Sequence, residues 1–118
     1  MRSNGIVEES PTLSSTLGRI SIASEAIAQI VEHVAAEAYG VVGMAGRGLT
    51  RLRGRRGIEI RRDGDDVIVD LRVVVEYGLN LAEVASTLRN RVTYEVERLT
   101  GLRVSVVEVH IEDVRRSA

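Results

Sequence analysis

The run Asp66 to Tyr77, DVIVDLRVVVEY, constrains this chain more than any other stretch. Val67, Val69, Leu71, Val73, Val75 and Tyr77 alternate onto one face of an extended chain. The opposite face carries Ile68, Asp70, Arg72, Val74 and Glu76, a mixture of apolar and charged side chains. That pattern predicts a strand with one face in the core and the other only partly covered. Burying its alternating side chains is worth roughly 10 kcal/mol gross, before conformational entropy is subtracted.

A strand needs neighbours, and the flanking sequence supplies them. Ile58 to Arg62 precedes it across Asp63-Gly64, a two-residue turn signal, because both residues tolerate positive φ. With those two residues as the loop, Arg62 faces Asp65, Arg61 faces Asp66, Ile60 faces Val67 and Ile58 faces Val69. Upstream, Leu17 to Ile22 predicts a short strand. A helix is then predicted from about Ala23 to Ala38, with Ala26, Ile27, Ile30, Val31, Val34 and Ala38 on its apolar stripe and Gly40 as its cap. Downstream, Asn80 with Glu83 marks a helix start. The second helix spans about Leu81 to Leu99, with Leu81, Val84, Ala85, Leu88, Val92, Val96 and Leu99 as its stripe, and Thr100-Gly101 closes it. In the last strand, Leu102 to Val114, Val104 and Val106 share one face, and Val107, Val109 and Ile111 the other. The change of phase predicts a bulge or burial on both faces.

The order is strand, helix, strand, strand, helix, strand. The predicted fold class is α+β: a two-layer domain with both helices packed on one face of a mixed or antiparallel sheet. A split βαβ arrangement is the expected topology, with the long strand inside the sheet. At 118 residues the chain makes one domain. The expected division is a disordered tail over 1–16, which is polar and holds the only proline, a folded domain over 17–115 and a short tail over 116–118. With neither Phe nor Trp, the core must be built from Val, Ile, Leu and Ala. No cysteine is present, which removes disulfides and thiolate chemistry. No apolar run reaches membrane-spanning length, and the N-terminus lacks the basic-then-apolar pattern of a secretion signal. A cytoplasmic protein is expected.

The residues that could carry function are few. Val41 to Gly57 holds five of the eleven glycines and the arginines Arg47, Arg51, Arg53, Arg55 and Arg56, so a flexible loop is predicted. A solvated loop is the simpler reading of those arginines; an arm for RNA or another anionic partner is the functional one. Gly43-Met44-Ala45-Gly46 has the GxxG form of the loop with which KH domains clamp a nucleic-acid backbone, which makes RNA binding the runner-up function. Glu108, His110 and Glu112 line one strand face as a row of metal-ligand types, read as a polar outer face because no fourth ligand is evident. His33 on the first helix is read as solvated. No nucleophile, base and orienter set exists, so no catalytic residue, cofactor or metal is assigned. If both helices cover one face, Ile68 and Val74, with Val104 and Val106, are left on the other. That open face and the edge offered by the last strand are the expected surfaces for self-association.

The stretches LGRISIASEAI, YGVVGMAG, VIVDLRVVVEYGLNLAEVA and LTGLRVSVVEVHIEDV, in this order and spacing, resemble the alkaline shock protein family of bacterial envelope stress response proteins. The resemblance covers about Leu17 to Arg115, and the EYG-x-N step into the second helix is its most specific part. Ser24 stands where the family often has proline, and the arginine-rich filling after Gly46 is unusual. What the resemblance implies is a non-enzymatic protein of cell-envelope homeostasis. It would be an assembly or adaptor protein that self-associates and meets a membrane-anchored protein partner. The family has no established catalytic residues to carry over.

Overall fold

The computed structural model describes residues 12–15, 17–44 and 57–116. Its elements are β1 (Thr12–Ser15), β2 (Gly18–Ser21), α1 (Ser24–Glu37), β3 (Val41–Met44), β4 (Ile58–Asp63), β5 (Asp66–Glu76), α2 (Leu81–Thr100) and β6 (Arg103–Arg115). The α+β class and the placement of the helices follow the prediction.

β5 is the centre of the main sheet. β6 runs parallel to it along its whole length on one side. On the other side β4 pairs antiparallel with Asp66 to Leu71, and β3 pairs antiparallel with Val73 to Val75. The sheet is therefore mixed. β3 and β4 share one edge of β5 end to end because the six-residue β4 cannot reach along an eleven-residue partner. The backbone groups left over must still be satisfied. Gly57 C=O accepts from Arg72 N–H at 2.8 Å and Gly40 C=O accepts from Glu76 N–H at 2.8 Å, which closes the gaps around β3.

Four expectations are corrected. A strand, β3, occupies the start of the predicted loop, since Val41 and Met44 pack against the core while completing the edge of β5. The strand β1 lies inside the predicted tail and pairs with β2, so β2 belongs to its own two-stranded sheet rather than the main one. The β5–α2–β6 unit places its two parallel strands side by side, so it is not split. In the β4–β5 hairpin, Asp63 faces Asp66, Ile60 faces Val69 and Ile58 faces Leu71, with Gly64 and Asp65 as the turn. That is a slip of two residues from the predicted register. A slip of two keeps every side chain on its face, so Val67, Val69, Leu71, Val73 and Val75 are all fully buried as expected. Tyr77 lies past the strand end and is exposed.

The buried stripe of α1 is shifted from the predicted one, gaining Ala28 and Ala35 and losing Ala26, and that of α2 is narrower. α1 buries Ile27, Ala28, Val31, Val34 and Ala35, while Ala26 faces solvent. α2 buries Val84, Leu88, Val92, Val96 and Thr100, one residue per turn, and leaves Leu81 and Leu99 exposed. Asn80 caps α2 by accepting from Glu83 N–H at 3.0 Å, and Gly101 ends it with φ 78°. α1 ends differently. Its C-cap Ala38 is extended, and Gly40, at φ 88°, is the third residue of a tight turn in which Val41 N–H donates to Ala38 C=O at 3.2 Å. The phase change in β6 is a bulge: Val67 faces Val104 but Ile68 faces Val106. Val104 and Val107 thereby both reach the core.

Candidate functional site on the open sheet face and the β6 edge

Both helices lie on the Val67–Val75 face of the sheet, so the opposite face of β4, β5 and β6 is where function would sit. It is not the semi-apolar surface expected. Ile68 is half-buried and Val106 is 42% exposed, but Val74 is only 4% exposed and Val104 belongs to the core. Val74 stands between two irregularities, one in β3 and one between Val73 and Val74 in the pairing with β6. As an interaction residue it is covered.

Between these apolar positions the face is laced with ion pairs. Arg61 Nη2 lies 3.1 Å from Asp70 Oδ2, and Arg72 pairs with Glu112. His110 Nε2 lies 3.3 Å from Asp70 Oδ1 and 3.9 Å from Glu108 Oε1. Burial pushes the Asp70 carboxyl up, but hydrogen bonding with His110 and Glu108, together with the Arg61 charge and hydrogen bond, outweighs it and holds the pKa below the usual value. The row Glu108, His110, Glu112 is thus divided. Glu112 goes to Arg72, and Asp70 from β5 joins the other two. Asp70 was missed as a site residue because its partnership depends on the β5–β6 register, which places it directly opposite Glu108. Nothing within either strand signals that pairing.

The second feature is an edge. Among the described residues β6 pairs only with β5, so its other side is a free strand edge thirteen residues long. Its ends are guarded: Val104 N–H donates to Glu97 Oε2 at 2.9 Å, and Val114 N–H donates to Asp113 Oδ1 at 2.9 Å. A shallow cleft of about 210 Å³ lies elsewhere, lined by Tyr39, Leu79, Asn80, Glu83, Val84 and Thr87.

Of the other expected residues, His33 is exposed and sits 3.2 Å from Glu37. Arg47, Arg51, Arg53, Arg55 and Arg56 lie outside the described residues. So do Ala45 and Gly46, but Gly43 and Met44 are in β3, paired with Val74 and Val73. A GxxG whose first two residues are locked in a strand of the sheet is not a free clamp loop of the KH kind.

A family model of the alkaline shock protein 23 family, with cell envelope-related function, matches residues 12–116. The chain belongs to that family. Its cell envelope-related function is therefore the family's. Relatives include the uncharacterized protein YloU of Bacillus subtilis (strain 168), 33% identical over 112 residues that span 87% of this chain and 93% of YloU. The uncharacterized protein YqhY of the same organism is 26% identical over 106 residues, spanning 84% of this chain and 78% of YqhY. Among solved structures, a MamM-CTD variant superposes with a TM-score of 0.51 at 19% identity, covering 76% of this chain and 96% of that one. At that identity the likeness concerns the fold alone. No helix among the described residues is long and apolar enough to cross a membrane.

Proposed function

We propose that this member of the family is a non-enzymatic assembly or adaptor protein, acting near the membrane through self-association and protein partners. The observation that carries the reading is the free edge of β6. A long unpaired edge is a template for another strand, and natural chains that do not use one blunt it with short length, charge or proline. This edge is long and has no proline, and although Glu108, Glu112 and Asp113 charge its strand, Val106 and Val114 stand exposed on it. The family's envelope-related function supplies the setting. Ile68 extends the same surface onto the open face.

Size-exclusion chromatography with light scattering tests this. The wild-type chain is expected to run as a dimer or larger species at high concentration. The double variant Val106→Lys, Val114→Lys places lysines along the edge at two exposed positions, so it should fold and dissociate. Ile68→Lys separates the face from the edge. The reading fails if the wild type is monomeric at high concentration, or if both variants assemble as well as wild type.

A further inference from the structure

We propose that Asp70, Glu108 and His110 form a binding site for a divalent transition-metal ion of the zinc class on the open face of the sheet. One ligand atom from each lies within 4.8 Å of the others. Ligand atoms about 2.0–2.2 Å from one zinc ion lie roughly 3.3–3.6 Å apart in tetrahedral coordination. The imidazole nitrogen stands 3.3 Å from the Asp70 oxygen and 3.9 Å from the Glu108 oxygen, so small side-chain rotations complete the triangle.

The surroundings suit a metal better than they suit a plain surface ion pair. The two carboxylates are set opposite each other by the strand register, Asp70 facing Glu108. Two ionised carboxylates at that spacing repel, and the repulsion is relieved by a proton shared between them, by a protonated His110 or by a metal ion in the same place. Arg61 does not take that place. It binds Asp70 Oδ2 from the far side, and Asp70 Oδ1 is the oxygen turned toward His110. That is the geometry of an outer partner that orients a ligating carboxylate. Arg72 is held by Glu112 and adds no free positive charge. Two carboxylates against one guanidinium leave the site net negative. Asp70 is anchored at mid-strand in the central strand, with neighbours on both sides, so the platform is rigid. Imidazole with carboxylates selects zinc, copper, iron or nickel over magnesium and calcium. Three protein ligands on an open face leave the fourth position to water or to a group from a partner.

The test uses the full chain, stripped with chelator and titrated with zinc chloride by calorimetry, with circular dichroism as a check on folding. One ion per chain is expected. His110→Ala and Glu108→Gln, both on the exposed face, should each weaken binding by at least about tenfold. His33→Ala should leave it unchanged, because His33 lies on α1 beside Glu37. No saturable binding to the wild type would overturn the proposal. So would binding that survives in His110→Ala, or that is lost instead in His33→Ala.

Discussion

Gly40 offers the sharpest test of how the two helices are joined to the sheet. It has φ +88°, and a Cβ built on it would lie 2.8 Å from Leu79 Cδ1, 3.0 Å from Val84 Cγ2 and 3.4 Å from Val84 Cγ1. Gly40→Ala therefore carries two separable costs. An L side chain in the left-handed region costs about 1–2 kcal/mol. Forcing a methyl group into filled space costs typically about 1–3 kcal/mol more. Leu79 meets the methyl with the far end of a flexible side chain and can turn aside. Val84 is buried on α2 with a stiff χ1, so its methyl groups give way only if the helix shifts. The sum is about 2–5 kcal/mol. Gly64→Ala is the internal control: φ is +65° there, but nothing lies within 4 Å of the added carbon. It should show the conformational cost alone, partly offset by about 0.4–1 kcal/mol of lost unfolded-state entropy. Urea denaturation of the two variants, read as midpoints at a common slope, gives the difference directly. Gly40→Ala is expected to be the weaker by about 1–3 kcal/mol. In a double-mutant cycle with Val84→Ala the cost of Gly40→Ala should fall, since Val84 supplies the contact that cannot turn aside. Equal destabilisation by Gly40→Ala and Gly64→Ala would refute the contact between the turn and the start of α2.

Three shorter predictions concern the core and the open face. Leu71→Ala, at a fully buried position, should cost about 2–5 kcal/mol, while Leu99→Ala, 55% exposed, should stay within about 0.5 kcal/mol in the same denaturation assay. Val73→Lys and Val74→Lys should both unfold the domain, because both positions are buried and a lone buried charge is prohibitive; a Val74→Lys chain with wild-type circular dichroism would show that this side of β5 is open after all. Asp70 is more acidic in the folded chain than in the unfolded one, so its ionisation adds stability above the unfolded pKa of about 3.9, and that stability is lost as pH falls through the folded pKa. The stability gap between wild type and Asp70→Asn should hold from neutral pH down to about pH 5 and close below it, and a gap that widens on acidification would contradict the ion-pair geometry.

The sheet face was legible in the sequence because period-two alternation from Val67 to Val75 admits one reading. The register was not. A slip of two residues preserves that alternation, so hydrophobic pattern cannot choose between an Asp63-Gly64 and a Gly64-Asp65 turn. What decides is longer in range: Ile58 settles opposite Leu71, and Gly57 C=O meets Arg72 N–H. The strands β1 and β3, four residues each, are too short to show a period. β3 exists because β5 is longer than β4, a fact about the sheet rather than about the segment. Helical spacing alone extends the α2 stripe too far at both ends, since Leu81 and Leu99 satisfy it but are exposed. For the site, His110 and Glu108 were visible as a row on one strand. Their companion was not, because Asp70 sits about forty residues away in the chain and meets His110 only through parallel pairing. Val74 shows the same limit in reverse: its place on the polar face was right, and its burial follows from bulges that no local pattern encodes.

The edge of β6 carries the last prediction. If that edge is meant to be joined, it should be joined in one register and not as an open-ended stack. The structure has a means for this at each end, where Glu97 occupies the Val104 N–H and Asp113 occupies the Val114 N–H. A partner strand finds those two donors already used, so pairing is confined to the stretch between them. Each cap is a charge-assisted bond to a backbone donor, worth about 1.5–3 kcal/mol, enough to bias where a strand docks without preventing docking. Glu97→Ala with Asp113→Ala removes both caps and leaves the core stripe of α2 and the β5–β6 pairing in place. The expected result is not dissociation but loss of a defined size, with light scattering showing heavier and broader species than wild type as longer or slipped pairings become available. A double variant with the wild-type size distribution would mean the capped donors play no part in limiting the edge. A double variant that becomes monomeric would mean that Glu97 and Asp113 bind the partner rather than restrain it.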